Sequence, residues 1–399
     1  MTRRGVLTLA LGVATYLVAW LFGAKALYPA AAGLVLAPLA ARTWVRLAAG
    51  PISLRRRAGS GELLEGEDVW VTLEAAPRSR VPLPALAVSE RLAGLGERET
   101  HLARAGRVHR GTYVLEGLPR GRYVVQQARA TIDDPFGLAR SEVELEAGGS
   151  LLVYPRLVAL DRLFSERGAH AEDGRRLLLR RPAGFDFHSV RDYEQGESLR
   201  KVHWPSTARR GQLMVKELED APRDEIAVLL DADAAAVTGE SFDVQVRAAG
   251  SILRAHAGRG RRAVLAVNSA KRPAVRVSSL EGDWRAALGL LAAAEPDGVR
   301  PVVDLLARES GPAARAYETV VVTARLSGAL ATKLVQRSLA AQGVSLVWVD
   351  APSFAGRPTR VEPELLRVQA AGVAVAVVRK GDSLAAVLGA APAARTAHG

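Results

Sequence analysis

Ala183–Glu219 reads AGFDFHSVRDYEQGESLRKVHWPSTARRGQLMVKELE. The stretch combines an Arg-Asp-Tyr triplet, a Gly turn, an Arg-Lys pair, a His-Trp pair and an Ala-Arg-Arg run. It has no clean helical or strand period, so burial of one face does not explain its composition, and it reads as a loop-like functional segment. Arg191, Arg200, Arg209 and Arg210 offer planar donors that can grip carboxylates at two points. Tyr193 and Trp204 add rigid amphipathic area of the kind enriched in binding hot spots. Glu194, Glu197, Glu217 and Glu219 are able to neutralise the same arginines internally, which would make the segment a brace between neighbouring domains. A partner-binding surface and an internal brace are weighted equally, and the two are compatible.

Downstream of this stretch, short apolar runs alternate with helical patterns. Glu225–Leu230, Arg262–Val267, Thr319–Val322, Val344–Val349 and Val373–Val378 read as strands. Phe242–Ala257, Trp284–Ala294 and Ser327–Ala341 read as helices. Strands apolar on both faces that alternate with helices imply an open, mostly parallel sheet. Upstream, Asp68–Leu73, Gly111–Leu115, Arg122–Gln126 and Glu142–Glu146 are short alternating runs separated by Gly, Pro and charge. They imply a small, Ig-like β-sandwich. Thr131–Leu138 (TIDDPFGL) reads as a turn, with Asp134-Pro135 opening it and Gly137 free to take a positive φ.

The net charge is +12, and residues 1–57 supply eight basic residues and no acidic one. The rest of the chain is therefore only mildly basic, and no basic stripe with interleaved aromatics points to nucleic acid. Val6–Ala24 contains 19 uncharged residues, enough for a helix of ~28 Å, and a second apolar run covers Ala26–Ala41. Arg3 and Arg4 precede the first run, and Arg42, Arg46 and Arg55–Arg57 follow the second. This pattern predicts a two-helix membrane hairpin with both ends in the cytoplasm. The competing reading is a secretory signal, for which Ala24-Lys25-Ala26 supplies an A-x-A form. The Arg-rich exit of the second run favours the hairpin. The chain has no cysteine, which excludes disulfides, thiolate metal sites and thiol nucleophiles.

Arg191, Tyr193, Gly196, Glu197, Arg200, His203, Trp204, Ala208 and Arg209 together resemble the R-x-Y-x-x-G-D-x-x-R-x-I-D-W-x-x-x-A-R pattern of the DUF58 family. Glu197 and His203 stand where that family more often carries Asp. Arg120-Gly121-Arg122-Tyr123, Asp134-Pro135-Phe136-Gly137-Leu138 and Val153-Tyr154-Pro155 resemble further elements of the family, and these three read as structural corners. The resemblance implies an N-terminal helix pair and a von Willebrand factor A-like domain. It also implies work with a MoxR-type AAA+ ATPase, often alongside a transglutaminase-like membrane protein.

Strand ends in open α/β sheets gather ligands, and here they offer Asp231, Asp233, Asn268, Thr323 and Asp350. The resemblance implies a Mg²⁺ motif of the form D-x-S-x-S at the first strand. Asp231-Ala232-Asp233-Ala234-Ala235 lacks both hydroxyls. A reduced Mg²⁺ site would use Asp231, Asp233 and Thr323 or Ser327. The preferred alternative has Asp231 capping the next helix or ending its strand in solvent, with no cofactor. An enzyme reading pairs Ser206 or Ser189 with His203 or His188 and with Asp186 or Asp192. No nucleophile elbow, Walker A loop, zincin motif or dinucleotide fingerprint supports it.

The expected architecture is a membrane hairpin over 1–49, a β-sandwich over 50–155 and the signature segment over 156–224. A von Willebrand A-like α/β domain over 225–389 and a flexible tail over 390–399 complete it. The expected function is a non-catalytic membrane scaffold with its soluble domains in the cytoplasm. Arg191, Tyr193, Arg200, His203, Trp204 and Arg209 are its interaction residues. A hydrolase using His203 and Ser206, or an extracellular metal-dependent binding module, are the alternatives.

Overall fold

The computed structural model describes residues 1–59, 61–78, 85–165, 187–192, 203–218, 225–271, 273–307, 311, 314, 316–340, 342–358 and 362–389. The chain divides into two compact units, Met1–Tyr154 and Pro155–Gly399.

The first unit opens with helices α1 (Arg3–Phe22) and α2 (Tyr28–Ala48). Both are long and apolar enough to cross a membrane, and both leave most of their surface uncovered. Gly23 ends α1 in the left-handed conformation at φ 62°, and Pro29 sits in the first turn of α2, where its missing N–H costs nothing. The buried residues of α1 are Gly5, Gly12 and Ala19, one every seven residues. A Cβ on Gly12 would come within 2.8 Å of Val35 Cγ2 and 3.0 Å of the Val35 backbone nitrogen. The helices thus touch backbone to backbone, the close approach that small residues permit when lipid supplies no hydrophobic drive.

Both feet of this hairpin are built into the β domain. Ala41, Val45 and Ala48 of α2 belong to the same buried cluster as Val69, Leu73, Val88 and Ile132. At the other foot the Thr2 amide donates to Leu138 O (3.1 Å) and the Thr2 hydroxyl to Gly137 O (2.6 Å).

The domain itself is a nine-stranded, largely antiparallel sheet. Its strands are β1 (Ile52–Ala58), β2 (Leu63–Leu64), β3 (Val69–Pro77), β4 (Ala85–Leu92), β5 (Gly96–Ala105), β6 (Val108–Leu115), β7 (Gly121–Asp133), β8 (Arg140–Leu145) and β9 (Ser150–Tyr154). The order is β1-β3-β6-β5-β4-β7-β9-β2, with β8 paired to β7. Val69, Val71, Leu73 and Ala75 alternate inward along β3, as the period of DVWVTL requires. β7 extends through Asp133, so the turn begins only at Asp134. Tyr123, near the start of β7, donates its hydroxyl to Pro119 O at 2.8 Å.

Glu90 is completely buried, ion-paired with Arg56 Nε and accepting from Tyr113 Oη at 3.0 Å. Arg56 therefore turns into the domain, although its place in an Arg-rich exit reads as a membrane flank. Burial, followed by the Glu90 charge, pushes the Tyr113 phenol well above its ordinary range.

In the second unit a two-stranded antiparallel ribbon, β10 (Phe187–Asp192) and β11 (Met214–Leu218), flanks helix α3 (Trp204–Arg210). Within its described residues the signature stretch is strand, helix and strand where its composition reads as loop. Among the described residues this ribbon pairs only with itself, so no further strand imposes an alternating pattern on it.

A six-stranded sheet follows in the order β14-β13-β12-β15-β16-β17. Its strands are β12 (Ile226–Leu230), β13 (Ala263–Val267), β14 (Ala274–Val277), β15 (Glu318–Thr323), β16 (Gly343–Val349) and β17 (Ala374–Val378). All neighbours are parallel except the edge strand β14. Val228 and Leu230 face one core, which includes helix α4 (Ser241–Gly258). Ala227 and Leu229 face the other, which holds Leu330 and Leu334. Both faces are covered, as a parallel sheet requires.

Replacing Arg56 by Leu leaves Glu90 buried without its cation and is expected to destabilise the chain by about 3–5 kcal/mol. The Arg56→Leu/Glu90→Leu double variant should recover most of that loss. Chemical unfolding of the full chain in detergent micelles reads both.

Candidate functional site

The central sheet changes direction between β12 and β15: the chain builds β13 and β14 on one side of β12, then crosses to place β15 on the other. Ligand crevices in open α/β sheets form at such a point, beyond the carboxyl ends of the strands. Asp231 follows β12 here and Thr323 ends β15.

Asp231 is buried, so it does not end its strand in solvent, and the turn that follows is capped by Asp233 instead. Its Oδ2 accepts from Thr323 Oγ1 at 2.7 Å, and its Oδ1 from Asn268 Nδ2 at 3.3 Å and the Asp233 amide at 3.2 Å. Asn268 also donates to Arg300 O, and Gly298 N donates to Ala232 O at 2.8 Å, closing the segment 298–300 over this corner. Burial pushes the Asp231 carboxyl upward, and the hydrogen bonds from Thr323, Asn268 and Asp233 pull the other way.

Asp233 is spoken for at both oxygens. Oδ1 caps the 3-10 turn Ala234–Ala236 through the Ala235 amide at 2.9 Å, and Oδ2 pairs with Arg325 Nη1 at 3.2 Å. Thr323 Oγ1 in addition accepts from the Arg325 amide at 2.9 Å. Ser327 caps the helix Gly328–Leu339 by accepting from Leu330 N at 3.3 Å.

Sequence reasoning named Asp231, Asp233 and Thr323 as a metal set, and the fold does bring them together. Octahedral Mg²⁺ needs oxygens with free lone pairs facing one point. These oxygens face internal donors, and a guanidinium already balances Asp233. No group of three or more His, Cys, Asp or Glu suited to a metal occurs among the described residues. The donor set as arranged does not fit the ion.

The residue that sequence reasoning missed is Arg325. A cation two residues beyond the end of a strand facing an Asp-x-Asp pair was the available signal. The same device recurs at β16, where the buried Asp350 lies 3.7 Å from Arg379 Nε, just beyond the end of β17.

In the signature segment, β10 places Arg191 opposite Val215 and Asp192 opposite Met214. His203 precedes α3, and its Nδ1 lies 2.8 Å from Ser206 Oγ. The His203 amide donates to Met214 O at 2.7 Å, and the Met214 amide to Thr207 Oγ1 at 3.0 Å. These bonds fasten the short helix to the start of β11. Trp204 is 64% exposed and Arg209 is also exposed. Tyr193, Arg200 and Asp186 lie outside the described residues.

Residues 189–342 match the family described as "Protein of unknown function DUF58". Over that segment the chain is similar to DUF58 proteins. Its similarity to "Uncharacterized protein YeaD" of Bacillus subtilis (strain 168) is 28% identity over 223 residues, 54% of each chain, so it spans about half the length of that relative. A conjugative transposon lipoprotein from Bacteroides eggerthii DSM 20697 aligns over 25% of this chain and 98% of its own at 12% identity and a TM-score of 0.15. Cwp6 from Clostridium difficile aligns over 83% of this chain and 38% of its own at 8% identity and a TM-score of 0.21. Likenesses this low carry no argument. The DUF58 match begins in β10, takes in α3 and the Asp231 corner, and ends just before β16.

Asp231→Ala should cost about 1–3 kcal/mol, because it orphans the Thr323 hydroxyl and the Asn268 amide. Folding favours the protonated Asp231, so its contribution is largest below the ordinary carboxylate range and declines as pH rises through the elevated folded value. Asp231→Asn should flatten that decline. Thermal unfolding across pH checks both, and added Mg²⁺ should leave the wild-type midpoint unchanged.

Proposed function

We propose that this chain is a membrane-anchored, non-catalytic adaptor working with a MoxR-type AAA+ ATPase. In this reading the hairpin α1–α2 spans the bilayer with both ends in the cytoplasm. The β domain is Ig-like, and the six-stranded sheet is a von Willebrand A-like domain whose metal corner has become an internal ion-pair site. ATP hydrolysis belongs to the partner. The sheet order, with an antiparallel edge and an aspartate at the crossing point, supports the von Willebrand A-like assignment. The Tyr123–Pro119 bond resembles the tyrosine corner of Ig-type sandwiches and supports the other.

The carrying observation is Trp204. A tryptophan 64% exposed at the start of a short helix held by His203, Thr207 and Met214 is a rigid aromatic anchor offered to a partner. Arg209 and Arg210 lie exposed on the same helix and can grip acidic groups around it. The ATPase as that partner comes from the family resemblance.

A second reading rests on the 2.8 Å His203–Ser206 contact, which gives a hydrolase its nucleophile and base. The two residues are three apart at a helix start, where such a contact also serves as a cap. The capping role accounts for it without chemistry, and the adaptor is preferred.

The test is capture of the cognate ATPase by the full chain in nanodiscs. Trp204→Ala should weaken binding by at least about 2 kcal/mol, roughly thirtyfold. Trp70→Ala, equally exposed on β3, should leave it unchanged. Wild-type chain that captures no ATPase, or substrate turnover abolished by Ser206→Ala, would replace the adaptor with another reading.

A further inference from the structure

The Asp134–Leu138 turn holds an exposed aromatic ring at the foot of α1. Asp134 is buried, and its carboxylate accepts from the Ala139 amide (2.5 Å) and the Phe136 amide (2.9 Å). The Gly137 amide returns to Asp134 O at 3.0 Å, with Gly137 at φ 68°, a conformation glycine adopts without strain. These bonds fix the backbone on both sides of Phe136, whose side chain is left 78% exposed.

The same turn receives the start of α1. Thr2 donates twice to it, through its amide to Leu138 O and its hydroxyl to Gly137 O, while its hydroxyl also caps the Gly5 amide at 3.2 Å. Gly5 packs so closely that a Cβ there would collide with the Leu138 carbonyl oxygen. The side chain of Arg4 lies next to Gly137.

The length of α1 then fixes where this turn must lie. Its 20 residues rise about 30 Å, close to the full hydrocarbon thickness of a bilayer. If α1 spans, its first turn stands at the hydrocarbon boundary, and the turn hydrogen-bonded to it stands there too. An exposed ring held at that depth, beside the exposed Arg3 and Arg4, matches an interfacial anchor: the apolar group enters the acyl boundary and the cations meet anionic head groups.

We propose that the Asp134–Leu138 turn is a lipid-interface collar, which seats Phe136 in the leaflet at the foot of α1 and sets the depth of the β domain. The occupant of this surface is the bilayer itself. The proposal rests on reading α1–α2 as membrane-spanning.

The experiment uses the full chain in anionic proteoliposomes, with 4-fluorophenylalanine installed at position 136 in one sample and at position 16, within α1, in another. Fluorine signals are recorded with lipids bearing a nitroxide either just below the head group or near the chain terminus. The collar predicts that the position-136 signal is lost to broadening by the shallow nitroxide and survives the deep one, while position 16 is broadened by the deep one. If position 16 meets lipid and position 136 responds to neither nitroxide, the collar is wrong and the spanning hairpin stands. If neither position meets lipid, both readings fall. Gly5→Leu, which forces the turn away from α1, should restore the position-136 signal under the shallow nitroxide. If broadening persists in that variant, α1 does not position the turn and the collar is overturned.

Discussion

Two apolar helices cannot bury themselves against each other alone, and here they are fastened to a β domain at both ends. Ala41, Val45 and Ala48 are buried in the core of the β domain, and Thr2 and Gly5 close onto the 137–138 backbone. The attachment at α1 is made by backbone carbonyls and small residues, which cannot shift without breaking hydrogen bonds. The attachment at α2 is apolar packing inside a shared core. Together they remove the freedom a membrane anchor has when a linker joins it to its cargo, so the β domain inherits the orientation of the hairpin.

The second unit handles charge in the same economical way. Carboxylates collect at the carboxyl ends of its parallel strands because strands and turns bring them there, and each needs a counter-charge or a proton. Asp233 takes Arg325, Asp350 takes Arg379, and Asp231 takes a hydroxyl, an amide and a backbone N–H. An arginine on Asp233 leaves the pair without the open coordination positions a divalent ion requires. Arg325 lies at the surface, so its pair with Asp233 stabilises little.

Much of this architecture was legible because burial imposes a period. Val69, Val71 and Leu73 alternate inward, and the fully buried Ile226–Leu230 shows the unbroken apolar run of a strand covered on both faces. Where burial imposes little, the sequence was mute. Gly96–Ala105 (GERETHLARA) is a ten-residue strand with only Thr100 and Leu102 turned inward, so it carries no readable period. The β10–β11 ribbon, an antiparallel pair, was read as loop. Arg56 misled because one arginine among three reads as a flank until its partner is known, and Glu90 lies 34 residues away. At the candidate site the residue types were readable but their partners were not, since Arg325 meets Asp233 only through a sheet crossing that joins positions 92 residues apart.

The elements read as mere corners take on more weight once their contacts are known. Asp134, Gly137 and Leu138 do shape a turn after β7, as their chemistry requires, but the turn's carbonyls are also the seat of the first helix. A motif fixed by two demands at once tolerates fewer replacements than either would impose. Asp134 must satisfy two amides, Gly137 must take a positive φ, and residue 138 must present its carbonyl to Thr2 while Gly5 leaves room for it. The amide of Phe136 is one of those bound by Asp134, while its side chain makes no contribution to the turn. An exposed phenylalanine side chain held in so constrained a turn is what the proposed lipid contact would account for.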